Sequence, residues 1–320
     1  MKTEVDLTTL ARRVKRKRWV LTVLVALGVS LMMLVGGYQL VQHLTGRDSQ
    51  RRSDYLWTIA EIKAPNILAN DHYLVNPTAF GGQVMSHRYK RIAGQSVAWS
   101  PAVANYALQG STSPVVDQTT RGPQGGLYDV ETQQKIPEFF NQHLTAREKR
   151  TQAITETQEL GQVARTQRMV GEVALTFKRP LTYREIRQQL PAGLTAAWFS
   201  IELPRGAVTL DNDFLGVQSR NQDDEVTGRL TARQYRDFRQ KLTTAARRYP
   251  RELTFNDFFL FRYGGQYAQR YQSLANAEFA GVIVTGTSAA FKKLGTPGWV
   301  AASSAGIVTP QNPVTPGKAK

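Results

Sequence analysis

The sequence ARRVKRKRWVLTVLVALGVSLMMLVGGYQLVQHL, residues 11–44, decides how the rest of the chain is placed. From Trp19 to Thr45 it contains no Asp, Glu, Lys or Arg. As a helix, residues 19–41 would be roughly 35 Å long, enough to cross a hydrocarbon core of about 30 Å. A cleaved export signal usually has only about 7 to 15 apolar residues, and a buried core helix of this length rarely lacks a polar face. We therefore predict a retained transmembrane helix over residues 19–41.

The flanks of this segment predict its orientation. Six basic residues occupy seven positions directly before it: Arg12, Arg13, Lys15, Arg16, Lys17 and Arg18. Arginines also follow the span, so the asymmetry is incomplete, but a cluster this dense favours a cytoplasmic N-terminus. Trp19 and Tyr38 are expected at the two lipid interfaces, where amphipathic rings are enriched. The prediction is a single-pass protein of the cell membrane, with residues 1–18 in the cytoplasm and the C-terminal region outside.

The composition limits what the outer region can be. The chain has 320 residues, no cysteine and a formal net charge of +16. Without cysteine it can form neither a disulfide framework nor a thiolate metal site, so the outer region must depend on an ordinary hydrophobic core. A basic region near a membrane is attracted to anionic lipid or anionic wall polymer. A generally basic, solvated surface explains the same charge, and the sequence leaves both open.

Composition shifts divide the chain into six segments. They are a cytoplasmic basic tail (1–18), a transmembrane helix (19–41), a first extracytoplasmic domain (55–143), a helical connector (144–168), a second extracytoplasmic domain (169–308) and a disordered tail (309–320). The first domain is rich in Gly, Pro, Asn and Ser, which predicts short strands with tight turns such as Ala93-Gly94. The connector is polar nearly all round, with Thr145 and Glu148 spaced as a capping box.

The second domain shows a repeated order of strand, helix and strand. Residues 170–177 and 195–203 read as strands around a helix that Thr182 and Glu185 cap. Residues 281–285 and 298–308 read as strands around a short helix at 289–294. Between these units, residues 230–249 form an amphipathic helix pattern that Thr231 and Gln234 are spaced to cap. We predict an α+β fold, with a ferredoxin-like arrangement of the strand-helix-strand units as one expected form.

Motifs that carry chemistry are not found in the sequence. The four histidines are scattered, and there is no nucleophile elbow or phosphate-binding loop. We therefore expect no enzyme activity, no cofactor, no metal site and no direct contact with nucleic acid.

Several short motifs, taken in order, resemble one known family. They are FGGQV (80–84), Tyr89-Lys90, VAWSP (97–101), the segment 171–198 with its Tyr183-Arg184-Glu185-Ile186, and GVIVTGT (281–287). Together with the basic tail and single span, this order is similar to the N-terminal and C-terminal domains of the sigma factor regulator family. The resemblance implies a membrane-bound anti-sigma factor of a Gram-positive bacterium. Such a protein restrains an extracytoplasmic-function sigma factor until the envelope is stressed. The family supplies no catalytic residues.

The cytoplasmic tail is short for this function. Only residues 1–18 are available to contact a sigma factor, so we expect a small membrane partner protein that acts between them. Ala26 and Ser30 form a small-xxx-small pair that permits close helix packing. The alternative from another class is a cell-envelope-binding structural protein whose basic outer region holds anionic wall polymer. An outward-facing enzyme is disfavoured because no active-site constellation is present.

Overall fold

The computed structural model describes the backbone of residues 2–69, 71–110, 118–123, 125–151, 154–204, 214–221, 223–255 and 258–312, and the side chains of these ranges except residues 2–9, 151 and 255. The first half of the chain contains α1 (Lys2–Ile62), β1 (Leu68–Ala69), β2 (Tyr73–Val75), β3 (Gly81–Ile92), β4 (Gln95–Ala107), β5 (Thr119–Arg121), β6 (Leu127–Asp129), α2 (Ala146–Thr151) and α3 (Leu160–Arg165). The second half contains β7 (Met169–Thr182), α4 (Tyr183–Gln189), β8 (Leu194–Ser200), β9 (Gly216–Gln218), α5 (Ala232–Arg248), β10 (Thr254–Phe255), β11 (Phe258–Phe259), α6 (Leu260–Arg270), β12 (Glu278–Thr287), α7 (Ser288–Leu294) and β13 (Val300–Pro310). The predicted α+β class is confirmed, with one long apolar N-terminal helix and a strand-rich C-terminal region.

Helix α1 is a single helix of 61 residues, about 90 Å long at 1.5 Å per residue. The predicted span lies inside it, and the large apolar side chains there are exposed, as a lipid-facing segment requires. From the sequence this helix was predicted to end at Val41, but it continues to Ile62. Apolar residues at Tyr55, Ile59 and Ile62 recur at spacings of three and four, so the extension has one buried face. Pro65 explains the end, because the residue before a proline avoids the helical conformation.

The first half of the folded region that follows the apolar segment is organised by one long hairpin. Strands β3 and β4 pair antiparallel, while β1 and β2 pair with the two ends of β3. Ala93 and Gly94 form the two-residue turn, and both have positive φ (49° and 86°), as a hairpin turn that matches the strand twist requires. The predicted strands and turn are present here, but β3 and β4 are longer than the short strands that the sequence suggested.

The second half is built on a five-stranded sheet in the order β13-β7-β12-β8-β9, with every neighbouring pair antiparallel. The predicted strand, helix and strand units correspond to β7-α4-β8 and β12-α7-β13. Predicted caps are confirmed: Thr182 and Glu185 form a capping box before α4, and Thr231 and Gln234 form one before α5. Thr287 caps α7. These local hydrogen bonds fix where each helix begins.

Helix α6 was not predicted. It contains Gly264 and Gly265, and glycine is unfavourable inside a helix. Their absent side chains are what let α6 approach α5: a methyl group on Gly264 would lie 3.0 Å from a Leu242 methyl, and one on Gly265 would lie 2.8 Å from Ala246 Cβ. Tertiary packing therefore overrides the local preference at this position.

The segment predicted as a helical connector contains two short helices, α2 and α3. The Thr145–Glu148 capping box before α2 is present, with Glu148 N donating to Thr145 Oγ1 at 3.2 Å. The segment also packs on the sheet: Leu160 and Val163 are buried, and Glu159 N donates to the Ser303 carbonyl at 2.9 Å. Residues 154–165 are thus attached to strand β13.

The main hydrophobic core takes residues from both halves of the folded region, while two smaller clusters lie under the long hairpin. It contains Tyr55, Ile59 and Ile62 from α1, together with residues of β7, β8, β12, α5 and α6. Phe139, which precedes the connector, packs its ring 5.7 Å from that of Trp198 and 5.5 Å from that of Phe214. Elements from both halves and from α1 therefore stabilise one another by burial of apolar surface.

Strand β13 extends into the C-terminal segment that the sequence predicted to be disordered. The strand includes residues 309 and 310, at the start of that segment. Gln311 N donates to the Arg168 carbonyl at 2.9 Å. The rest of that prediction, residues 313–320, lies outside the described residues.

We predict that Gly281→Ala destabilises the fold by about 1–3 kcal/mol, because it overpacks the shared core. The added methyl group would lie 2.5 Å from a Phe139 ring carbon and 2.7 Å from the Leu175 carbonyl oxygen. The measurement is the free energy of unfolding by denaturant. Gly161→Ala in α3 is the matched control, because no described atom beyond its own helix lies within 4 Å of the added methyl. Equal losses in the two variants would contradict the shared core.

Candidate functional site at the α1 joint

The α1 joint comprises residues 45–62 of α1, the side chains that contact them and the Lys90–Glu172 pair, which Asn66 contacts just after the helix. On its N-terminal side the helix carries the exposed basic residues Arg12, Arg13, Lys15, Arg16, Lys17 and Arg18 and the exposed span. Trp19 and Tyr38 are 70% and 57% exposed on α1, so their rings are free to meet lipid. Their interfacial role, and the topological role of the basic cluster, remain predictions.

The joint begins four residues after the predicted end of the span. Thr45 is buried, and its hydroxyl donates to the Val41 carbonyl and, at 2.8 Å, to the Ala79 carbonyl in the loop before β3. One turn further on, Asp48 Oδ2 accepts a hydrogen bond of 3.1 Å from Ala107 N at the end of β4. The long hairpin is thus attached to α1 directly above the apolar segment.

Further along, α1 packs antiparallel to α5. Asp54 pairs with Arg248 at 3.4 Å, and Glu61 pairs with Lys241 at 2.5 Å. Asp54 and Glu61 are seven residues apart on α1, and Lys241 and Arg248 are seven residues apart on α5. Seven residues are about two helical turns, so both pairs lie along the facing sides of the two helices. Tyr55 packs between these pairs with its ring centroid 5.0 Å from that of Tyr249. Exposed ion pairs contribute little, so burial of the aromatic rings provides most of the stabilisation.

Glu61 lies at the C-terminal end of the joint, and two cationic side chains bind its carboxylate. Arg220 Nη2 and Lys241 Nζ each lie 2.5 Å from one of its carboxylate oxygens. Burial would raise the pKa of Glu61, but the two cations outweigh it and lower the pKa below the usual 4.5. The carboxylate therefore stays ionised at neutral pH, and it attaches α1 to both α5 and the segment after β9.

A buried ion pair lies beside the C-terminal end of α1. Lys90 Nζ of β3 is 2.6 Å from Glu172 Oε1 of β7, and both side chains are 1% exposed or less. Asn66, just after α1, donates to Glu172 Oε2 at 2.8 Å, and the Lys90 ammonium lies 4.2 Å from the centroid of the Trp99 ring. Removing one charge from such a pair leaves the other buried without compensation.

Two protein-family models match most of this chain. The model described as sigma factor regulator N-terminal matches residues 8–97, and the model described as sigma factor regulator C-terminal matches residues 164–307. The chain belongs to the sigma factor regulator family. A search of curated proteins and a search of solved structures each gave no significant match.

The two matched regions of this sigma factor regulator meet at the joint. Residues 8–97 include the span, residues 45–62 and Lys90, whereas residues 164–307 include Glu172, Arg220 and Lys241. The Lys90–Glu172 and Glu61–Lys241 pairs therefore each join one region to the other. The joint is therefore where the C-terminal region contacts the helix that carries the predicted span.

Lys90, Glu172 and Glu61 were not predicted as joint residues of this regulator from its sequence. Glu172 had a usable signal, because it is an acidic residue inside the otherwise apolar run VGEVALTF (170–177). A buried charge in a strand requires a partner. Glu61 had no such signal, since it resembles any solvated helical glutamate. Among the described residues, no group of three or more His, Asp or Glu side chains is placed to hold a metal ion.

We predict strong coupling between Lys90 and Glu172. Lys90→Met and Glu172→Gln each leave the remaining charge buried without its partner, and each should cost about 3–5 kcal/mol of unfolding free energy. The double variant removes both charges, so it should lose less than the sum by more than about 1 kcal/mol. A double-mutant cycle measured by denaturant unfolding of the solubilised protein checks this. Additive losses would show that the pair does not join the two regions.

Proposed function

We propose that this sigma factor regulator is a single-pass anti-sigma factor. On this proposal it restrains an extracytoplasmic-function sigma factor in response to envelope stress, in a Gram-positive cell membrane. The family membership supports regulation of a sigma factor. The observation that carries the rest is the continuity of α1, which is one helix from the basic tail to the shared core. A signal received by the folded region can reach the tail without passing through a flexible linker.

The proposed placement is N-terminus in the cytoplasm and the folded region outside. The basic cluster before the span and the single apolar segment of α1 support it. For the C-terminal sheet we propose a ferredoxin-like arrangement with insertions. The order β13-β7-β12-β8, with helices between β7 and β8 and between β12 and β13, supports this assignment.

The short tail requires a partner in this proposal. Residues 1–18 offer too little surface to cover a sigma factor, so a small membrane protein carries the contact. Ala26 and Ser30 leave room for another helix to approach α1 within the lipid. Within the described part of the chain no other element covers α1 there, since its large apolar side chains, such as Leu27 and Leu31, are more than 60% exposed.

Affinity capture tests the regulatory assignment. With a tag after Lys320, the N-terminal tail stays free, and we expect gently solubilised membranes to yield a sigma factor through a small membrane protein. Rearranging residues 5–14 with the charges in place should abolish capture and raise transcription from the sigma-dependent promoter. A chain with the same rearrangement applied to exposed residues of α5 is the control. Capture of wall polymer without any transcription protein would refute the assignment.

Single cysteines test the orientation. Because the chain has no cysteine, Thr9→Cys and Gln109→Cys each supply the only thiol. A membrane-impermeant maleimide should label Gln109→Cys on intact protoplasts and Thr9→Cys only after the membrane is opened. The opposite pattern would place the folded region in the cytoplasm.

The second candidate is an envelope-binding protein whose basic outer region holds anionic wall polymer. Of the net charge of +16, +11 lies after residue 18 and favours this candidate. Deletion of residues 50–320 distinguishes the two, since a sensor would lose its transcriptional response to envelope stress, whereas a passive wall anchor would leave that transcription unchanged.

A further inference from the structure

A cavity of about 560 Å³ lies at the far end of the α1 joint, within the size range of sites for small ligands. Its wall includes Glu61 of α1, Val217 and Gln218 of β9, and Phe238 and Lys241 of α5. The remaining wall comes from the segment between β9 and α5 and from the first turn of α5. The cavity thus lies where the two family regions meet on the joint.

The charge of this cavity favours an anionic ligand. Four cationic side chains line it against two carboxylates: Arg220, Arg229, Arg233 and Lys241 against Glu61 and Asp237. Arg220 and Lys241 pair with Glu61, whereas the guanidinium groups of Arg229 and Arg233 have no carboxylate partner among the described residues. Guanidinium groups bind phosphate and carboxylate oxygens in a bidentate manner.

The polar wall points to a ligand that also carries hydroxyl groups. Asn221, Thr227 and Gln234 line the cavity with amide and hydroxyl groups. Gln218 Oε1 is buried without a hydrogen-bond partner in the described part of the chain, while Gln218 Nε2 donates to Asn66 at 3.3 Å. A buried acceptor without a donor is rare in folded proteins. Gln218 Oε1 is closed off from the cavity, so it gains a ligand hydroxyl as donor only when the Gln218 side chain turns toward the ligand. Through Asn66 the same side chain contacts the Lys90–Glu172 pair.

The position of the cavity excludes the headgroups of the protein's own membrane. Glu61 is twenty residues beyond Val41, which is about 30 Å along the helix axis. Headgroup layers extend only roughly 5–8 Å beyond each face of the hydrocarbon core. The ligand must therefore come from the aqueous side of the envelope.

We propose that this cavity binds a phosphate- or carboxylate-bearing polyol or saccharide, such as one unit of an anionic wall polymer. The anionic group contacts Arg229 and Arg233 and competes with Glu61 for Arg220 and Lys241. Binding therefore weakens the attachment of α5 and the β9 segment to α1. The regulatory half of this inference rests on the proposed function, whereas the binding half does not.

The first test is binding to the full-length protein in lipid nanodiscs. The probes are glycerol 3-phosphate, glucuronate, inorganic phosphate and a poly(glycerol phosphate) oligomer. We expect the oligomer or one organic probe to bind with an affinity that falls with salt. Arg229→Gln/Arg233→Gln should weaken it at least about tenfold. Arg236→Gln/Arg247→Gln removes two exposed arginines of α5 that do not line the cavity; it is the matched control and should bind as the parent does.

The size of the effect of a second substitution separates this site from a general basic surface. Glu61→Gln removes the carboxylate that competes with the ligand for Arg220 and Lys241, so it should tighten binding several-fold. On a general basic surface, the loss of one carboxylate would strengthen binding only slightly, because salt screens the charge. Absence of binding by every probe, equal binding by Arg229→Gln/Arg233→Gln and Arg236→Gln/Arg247→Gln, or unchanged or weaker binding by Glu61→Gln would each overturn the site.

A transcriptional reporter separates failure of the site from failure of the proposed function. If the site regulates the protein, Arg229→Gln/Arg233→Gln should abolish the reporter response to added oligomer, whereas Arg236→Gln/Arg247→Gln should respond as the parent does. A normal response in that variant overturns the regulatory half. If deletion of the whole protein leaves the reporter unchanged, the proposed function fails, and the nanodisc measurement still decides whether the site exists.

Discussion

The structure depends on one constraint, which is that a single helix serves two solvents. The N-terminal segment of α1 exposes apolar side chains on all sides, as lipid requires, whereas its last turns bury one face in a water-soluble core. Because the helix has no break between these segments, the long hairpin and the C-terminal sheet are built around the end of the membrane segment. The other contacts of the joint follow from this arrangement.

The contacts of the joint differ in how deeply they are buried and in whether a ligand can reach them. Tyr55, Ile59 and Ile62 are enclosed by the core, and their burial is non-directional. The Lys90–Glu172 pair is also enclosed, but it has one favourable geometry and thus fixes the register of the two family regions. Glu61 is only partly enclosed, and its two cations are accessible from the cavity. A ligand can therefore exchange with the partners of Glu61 without opening the core.

The sequence predicted features that depend on local chemistry. Apolar length located the span, and the pairs Thr182–Glu185 and Thr231–Gln234 located two helix starts, because capping is a contact between residues three apart. Features that depend on distant residues were missed. The extension of α1 to Ile62 was missed because the polar stretch 46–54 separates the apolar segment from the apolar stripe at Tyr55, Ile59 and Ile62. Helix α6 was missed because Gly264 and Gly265 are unfavourable locally and are required only by the closeness of α5. The cavity could not be predicted, since its wall comes from three separate segments of the chain.

The unbroken length of α1 also makes the protein a lever. With the joint as the fixed end, about 65 Å of α1 extends from Thr45 to Lys2. A tilt of about 5° moves that end sideways by about 6 Å, a large part of the roughly 8–10 Å that separates the axes of packed helices. A rearrangement too small to disturb the core, such as the loss of one ion pair at Glu61, is therefore large enough at the N-terminal end to change how neighbouring helices contact α1.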